Sequence, residues 1–248
     1  MADPVPAIYT EEFFDSHEQG AVNSARVVVP ILMDLLTPSS VIDVGCGRGA
    51  WLRVFQENGV ATTQGLDGPY VSQSKLLIDP ACFTPIDLNG SFQIRDQYDL
   101  AVCLEVVEHL RPSAGQSLIH NLTSVAPVVL FSAAIPGQGG RNHVNEQWPS
   151  YWRAIFAKYG FRMLDPIRRH VWHDVRVRWW YRQNMFLYAS SEAMEKWPAL
   201  QWEEKLVPAV EVEWVHVNIL NRWIHPKGKK SILSRLLRRT AARVRLWS

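Results

Sequence analysis

The chain has 248 residues, of which 47% are hydrophobic and 20% charged, with a formal net charge of +2. This length and mixture suit one large globular domain with appendages, and they exclude a fibrous or disordered chain. Three cysteines, Cys46, Cys82 and Cys103, form no CxxC pair and no bridge framework, so a reducing compartment is expected and a disulfide scaffold is not.

The first twenty residues carry prolines and acids where a secretory leader needs a basic start and an apolar run, and no apolar stretch reaches spanning length. A cytoplasmic protein is expected. Apolar residues then recur at helical spacing from about Ala21 to Leu36 and stop before Pro38, which predicts a helix. Strand-like runs follow at 41–44, 61–66, 98–104, 125–133, 161–164 and 185–189, with a weaker one at 83–87. Helices centred near Val54, Leu118 and Ile155 alternate with them. Alternation of this kind predicts an α/β fold, doubly wound, with a seven-stranded and mostly parallel sheet. Between Asp165 and Gln183 the chain is rich in Trp and Arg and shows no clear period.

Four segments result: a helical cap over 1–40, a core over 41–190, an extension packed on the core over 191–225 and a tail over 226–248. The tail holds eight Lys and Arg and no acid, leaving 18 basic residues against 24 acids in the body. Ile232, Leu233, Leu236, Leu237, Ala241 and Val244 lie among the arginines, so a tail helix has an apolar stripe and a basic flank. It fits packing on the domain or on a second subunit of a homo-oligomer, or peripheral contact with an anionic membrane, or contact with nucleic acid.

The informative segment is SSVIDVGCGRGAWL, in which a short strand ends at Asp43 and runs through Gly45, Gly47 and Gly49 into a helix. Such glycines let backbone N–H groups approach a ligand closely, and a new helix N-terminus favours an anionic group. As a bare pattern, Gly45 to Ala50 also fits the dinucleotide fingerprint, so the glycines alone leave a nicotinamide open. The neighbours decide. VIDVGCGRG resembles motif one of class I S-adenosylmethionine-dependent methyltransferases, and Gly65-Leu66-Asp67 is similar to the end of their second strand. Asp67 lies 20 residues after Gly47, the usual interval to a ribose-binding acid. Ile86-Asp87-Leu88 resembles their adenine-side acid, and YDLAVCLEVVEHL resembles their fourth strand with its trailing Glu105, Glu108 and His109.

The resemblance covers residues 35–135 and implies a Rossmann-like fold that binds S-adenosylmethionine at the ends of the first, second and fourth strands. It implies Asp43, Gly45, Cys46, Gly47, Asp67, Gly68, Asp87, Leu88, Leu104 and Glu105 as cofactor-binding residues. Residues 135–152 and 175–190 resemble segments of bacterial methyltransferases of polysaccharide and specialised small-molecule pathways.

Methyl transfer to a hydroxyl requires a collinear approach and loss of a proton, for which His109, His143 and Glu146 are the candidates. The plainer readings are a structural His109, a Glu108 that is a charge on a helix face, an Asp87 that holds a turn, and an Asn145 and Glu146 that cap a helix near Trp148. His170, His173 and Asp174 join these histidines in no spacing that marks a metal site, so no metal is expected. Nine of the 11 tryptophans fall between Trp148 and Trp223, as an aromatic acceptor pocket or as core.

Nucleic-acid base methylation is disfavoured. Leu104-Glu105-Val106-Val107 stands where amino-methylating enzymes carry Asn/Asp-Pro-Pro-aromatic, and Cys82 follows Ala81 where a Pro-Cys nucleophile would be needed. An RNA hydroxyl stays open. The expected reaction is methyl transfer to a hydroxyl of a small molecule or saccharide. The alternatives are an N- or C-methyltransferase, a cofactor-binding scaffold without turnover, and a redox enzyme.

Overall fold

A computed structural model describes residues 11–206 and 215–224 of the chain. Seven strands form one sheet in the order β3-β2-β1-β4-β5-β7-β6. They are β1 (Ser40–Val44), β2 (Thr62–Asp67), β3 (Phe83–Pro85), β4 (Leu100–Leu104), β5 (Val128–Ser132), β6 (Arg162–Leu164) and β7 (Phe186–Ala189). The pairs from β3 through β5 are parallel, while β7 runs antiparallel to both β5 and β6. The central strands β4 and β5 are buried along their whole length, as expected of continuous apolar runs covered on both faces.

Nine helices flank the sheet among the described residues. They are α1 (Glu11–Leu36), α2 (Ala50–Glu57), α3 (Pro112–Val125), α4 (Pro149–Ala157), α5 (Arg168–Val171), α6 (Trp179–Asn184), α7 (Ser191–Lys196), α8 (Ala199–Lys205) and α9 (Val217–Ile224). None is long and apolar enough to cross a membrane. One face of the sheet packs on α1 and α2 through Val28, Leu32, Leu52 and Phe55. The other packs on α3 and α4 through Leu118, Leu122, Trp152 and Phe156. Phe131 meets Trp152 edge-on at 5.5 Å, and Phe156 stacks on Tyr188 at 3.8 Å.

The doubly wound α/β sheet expected from the sequence is present, with each predicted strand represented. Differences lie at the edges. The first helix begins at Glu11, ten residues before the periodic stretch, and keeps Pro30 within it. The unplaced Trp/Arg-rich segment holds the short helices α5 and α6. The 226–248 tail lies outside the described residues.

A clamp at the start of β1 and β4 has a pH consequence. Asp99 Oδ2 accepts from the Ser39 amide at 2.8 Å and from its hydroxyl at 2.6 Å, and Oδ1 accepts from Lys196 Nζ at 2.7 Å. Burial pushes this carboxyl up, but the bonds from Lys196 and Ser39 outweigh it and hold the group at about 2. A depressed carboxyl contributes stability that is complete above its unfolded value of about 3.9 and is lost as pH falls towards 2. Lys196 is half-exposed, so we expect a contribution of only about 1 kcal/mol after solvent screening. Asp99→Asn should lower the urea midpoint at pH 7 by that equivalent and flatten the acid limb between pH 4 and 2. An unchanged midpoint would remove the clamp from the stability of the fold.

Candidate functional site

Chain order runs outward from β1 through β2 to β3, and then resumes on the other side of β1 with β4 and β5. The reversal makes a crevice between the carboxyl ends of β1 and β4, the position at which open α/β sheets bind ligands. A cavity of about 1210 Å³ opens there, ample for a nucleotide-sized cofactor beside an acceptor.

The loop after β1 forms the floor of this cavity. Gly45 has φ +86°, and a Cβ on it would lie 2.2 Å from Val106 Cγ2, so only glycine fits. The Gly45 amide donates to the Leu66 carbonyl at 2.7 Å, and the Gly47 amide donates to Asp67 Oδ2 at 2.6 Å. Asp67 Oδ1 accepts from the Gly68 amide at 2.6 Å and from the Tyr70 hydroxyl at 2.7 Å. Burial pushes the Asp67 carboxyl up, against the opposing pull of Tyr70, Gly47 and Gly68. Asp43, 2% exposed at the end of β1, is pushed well up by burial and further by Asp67.

Glu105 follows β4 with φ +56°, an unusual conformation for a residue with a side chain and one that clusters at functional sites. Its carboxylate accepts from Gln138 Nε2 at 2.9 Å and Asn184 Nδ2 at 3.0 Å. Burial is the main influence raising it. A short 3-10 turn, Val107–His109, comes next, and helix α3 starts only at Pro112. That turn buries Glu108 completely, which corrects its reading as a charge on an exposed helix face. Burial pushes the Glu108 carboxyl well up, with the Glu105 charge adding to it. His109 is pushed down to about 4 by burial and by His143, against the backbone carbonyls of Asn142 and Arg141. It is a neutral imidazole at neutral pH.

The loop after β5 carries His143 to the same place. The His109 and His143 rings meet edge-on at 4.9 Å. His143 Nδ1 lies 2.9 Å from Glu146 Oε1, and the Glu146 carboxylate also accepts from the Gly137 amide at 2.8 Å and the Gly139 amide at 2.9 Å. Glu146 itself does not line the cavity, so its expected catalytic role becomes a positioning one: it folds the glycine loop around His143. It does not cap α4 either, whose N-cap Trp148 has no side-chain capping bond. Asn145 is turned inward and donates through Nδ2 to the Val107 carbonyl at 3.2 Å.

Of the residues expected at a cofactor site, Asp43, Gly45, Cys46, Gly47, Asp67 and Gly68 line one side of the cavity. Asp87, Leu88, Leu104 and Glu105 line it as well. Asp87 also holds the anticipated turn, accepting from the Asn89 amide at 2.9 Å. His109 and His143 border the same space. His170, His173 and Asp174 lie elsewhere in the sequence and are not among its walls. Spacing argued against a metal, yet Glu108, His109 and His143 offer ligand atoms within 4.8 Å of one another.

Sequence reasoning missed the contribution of α1. Phe14, His17 and Glu18 wall the cavity, and Arg48 ties the loop to the helix through Asp15 at 2.6 Å and Glu18 at 3.2 Å. The tryptophans divide between the two readings. Trp179 and Trp180 line the cavity, Trp152 is core, and Trp202 is exposed.

A cationic ligand with hydroxyls fits this chemistry. Asp43 and Asp67 bring buried carboxyl groups and Glu105 a partly buried one to one cavity, and a hydroxyl, that of Tyr70, already donates to Asp67. The sulfonium, amino group and ribose of S-adenosylmethionine match that acceptor set.

Residues 16–165 match the family model described as a methyltransferase domain. No curated protein matches the chain. Among solved structures, the fold is similar to that in the complex of the Haloferax volcanii Trm112 methyltransferase activator with a putative methyltransferase. There the identity is 14%, with 77% of this chain and 99% of that chain covered, at a TM-score of 0.57. The plantazolicin methyltransferase BpumL, in complex with SAH, shares 13% identity over 76% of this chain and 91% of its own, at a TM-score of 0.51. LaPhzM shares 14% identity over 73% of this chain at a TM-score of 0.51, and the chain spans only 58% of its length.

Proposed function

The chain belongs to the methyltransferase domain family, and from that premise we propose that it transfers a methyl group from S-adenosylmethionine to a hydroxyl of a small molecule or saccharide. The observation that carries this reading is the sharing of one cavity by the acid-lined glycine loop and the His109–His143 pair. A hydroxyl acceptor has a proton to lose, and the groups that ease its loss stand beside the cofactor loop.

When bound, the cofactor supplies an electrophilic methyl group on a sulfonium. The protein's part is placement. Asp67 would accept from the ribose hydroxyls, and Asp43 and Glu105 would stand beside the cationic end. Leu88 and Leu104, both buried, would present apolar surface to the adenosine side. An acceptor oxygen would have to lie in line with that methyl carbon and its sulfur, in the space that His109 and His143 border. Holding these atoms in line is most of the catalytic task. Trp179 and Trp180 offer aromatic faces to a sugar or planar acceptor. The unbridged cysteines support a cytoplasmic setting.

Calorimetric titration with S-adenosylmethionine, S-adenosylhomocysteine and NAD tests the cofactor. Micromolar binding of the first two and none of the third is expected, whereas binding of NAD alone would overturn the reading. Release of S-adenosylhomocysteine with a panel of hydroxylated acceptors then tests turnover. Cofactor binding without release across saccharide and small-molecule hydroxyls would favour a scaffold.

A further inference from the structure

The neighbourhood of His143 is built with more constraint than a simple base requires. Glu108 is wholly enclosed, and neither carboxylate oxygen makes a hydrogen bond of ordinary geometry, although its own amide, that of Ala134 and the Glu105 carboxyl lean towards it. A buried carboxylate left in that state is costly unless a cation or a proton meets it. The two imidazoles line the same cavity, and the three side chains present ligand atoms within 4.8 Å of one another.

The orientation of His143 adds an independent argument. Its Nδ1 is held 2.9 Å from Glu146 Oε1, and that carboxylate is itself fixed by the Gly137 and Gly139 amides. Where that contact is a hydrogen bond to an accepting oxygen of a neutral imidazole, Nδ1 carries the proton and Nε2 keeps its lone pair. This carboxylate–histidine arrangement is how metal-ligating histidines are oriented and made more basic. On the His109 side, backbone carbonyls of Arg141 and Asn142 attract a ring N–H, which makes the other nitrogen of that neutral ring the basic one.

We propose that Glu108, His109 and His143 bind a divalent transition cation and that this cation receives the acceptor hydroxyl. Two imidazoles and one carboxylate suit zinc, cobalt, iron or manganese better than magnesium, which prefers an all-oxygen shell. Tetrahedral ligand bonds of about 2.0–2.2 Å place donors of one ion about 3.3–3.6 Å apart, so the widest-spaced of the three groups must close by up to about 1.5 Å. Three protein ligands leave positions for the acceptor. An acceptor with two adjacent oxygens, a vicinal diol or a hydroxy-carbonyl compound, can fill two of them. A hydroxyl bound to the cation loses its proton near neutral pH, the proton passing to water. The oxygen is then a nucleophile beside the cofactor loop. This inference rests on the proposed methyl transfer to a hydroxyl, but the metal site has a readout of its own.

The test uses the full chain, stripped with chelator and titrated with zinc or cobalt alone. One equivalent per chain is expected, with cobalt giving visible d–d absorption from nitrogen and oxygen ligands. His143→Ala and Glu108→Gln should each weaken the metal at least tenfold, in keeping with loss of a ligand, and should quench the cobalt spectrum. Binding of S-adenosylhomocysteine to the same samples reports that the fold and cofactor site persist. No stoichiometric metal in the wild-type chain, or equal affinity in both variants, overturns the proposal. Metal bound as expected with no S-adenosylhomocysteine bound would instead defeat the methyl-transfer reading while leaving the metal site standing. Should Glu108→Gln fail to fold, His143→Ala decides, because His143 sits on a loop with its side chain 12% exposed.

Discussion

Asp67→Ala is expected to weaken S-adenosylhomocysteine binding about 100-fold or more. The carboxyl stands at the end of β2, 6% exposed, and lines the cavity. Charge-assisted hydrogen bonds to two ribose hydroxyls are worth about 1.5–3 kcal/mol each, and each factor of ten in affinity corresponds to about 1.4 kcal/mol. A second effect adds to the first. Asp67 also fixes the Gly47 and Gly68 amides, so its removal loosens the loop that the cofactor must meet. Asp67→Asn separates the two effects. It keeps the size of the side chain but turns an N–H donor towards either Gly47 or Gly68, and should fall between wild type and alanine. Calorimetry with S-adenosylhomocysteine reads all three proteins. An alanine variant that binds as tightly as wild type would take Asp67 out of the site.

The features that made Asp67 legible in the sequence are local ones. A strand, a tight glycine turn, a helix and an acid 20 residues on are all short-range patterns, and their order is enough to predict a sheet with its switch point beside β1. The Gly47–Asp67 hydrogen bond is the physical content of that interval. Glu108 was illegible for the opposite reason. Glu105-Val106-Val107-Glu108-His109 reads as the start of an exposed helix, and only the 3-10 turn at Val107–His109 swings the carboxylate inward. Gln138 and Asn184 were missed because they meet Glu105 from 33 and 79 residues away, a distance at which no periodicity operates. The wall built by α1 was hidden as well. Its apolar stripe weakens before Ala21, and Phe14 and His17 line the cavity, Phe14 also packing against the edge of the core.

His143→Ala is expected to lower kcat by 10²–10⁴, the usual range for loss of a group that assists proton removal, while S-adenosylhomocysteine affinity stays within about twofold. The side chain borders the cavity and is not among the groups that hold the loop after β1 to β2. Glu146→Gln should lose less, about tenfold, because glutamine can still accept from one of the Gly137 and Gly139 amides but no longer fixes the His143 tautomer. The rate as a function of added metal then distinguishes two roles for the imidazole. If His143 is a ligand, the alanine variant binds zinc more weakly and recovers part of its rate at higher zinc concentration. If it acts on the proton alone, metal restores nothing. A variant with normal kcat at every metal concentration would return His143 to the structural reading, as the residue whose bond to Glu146 merely closes the loop after β5.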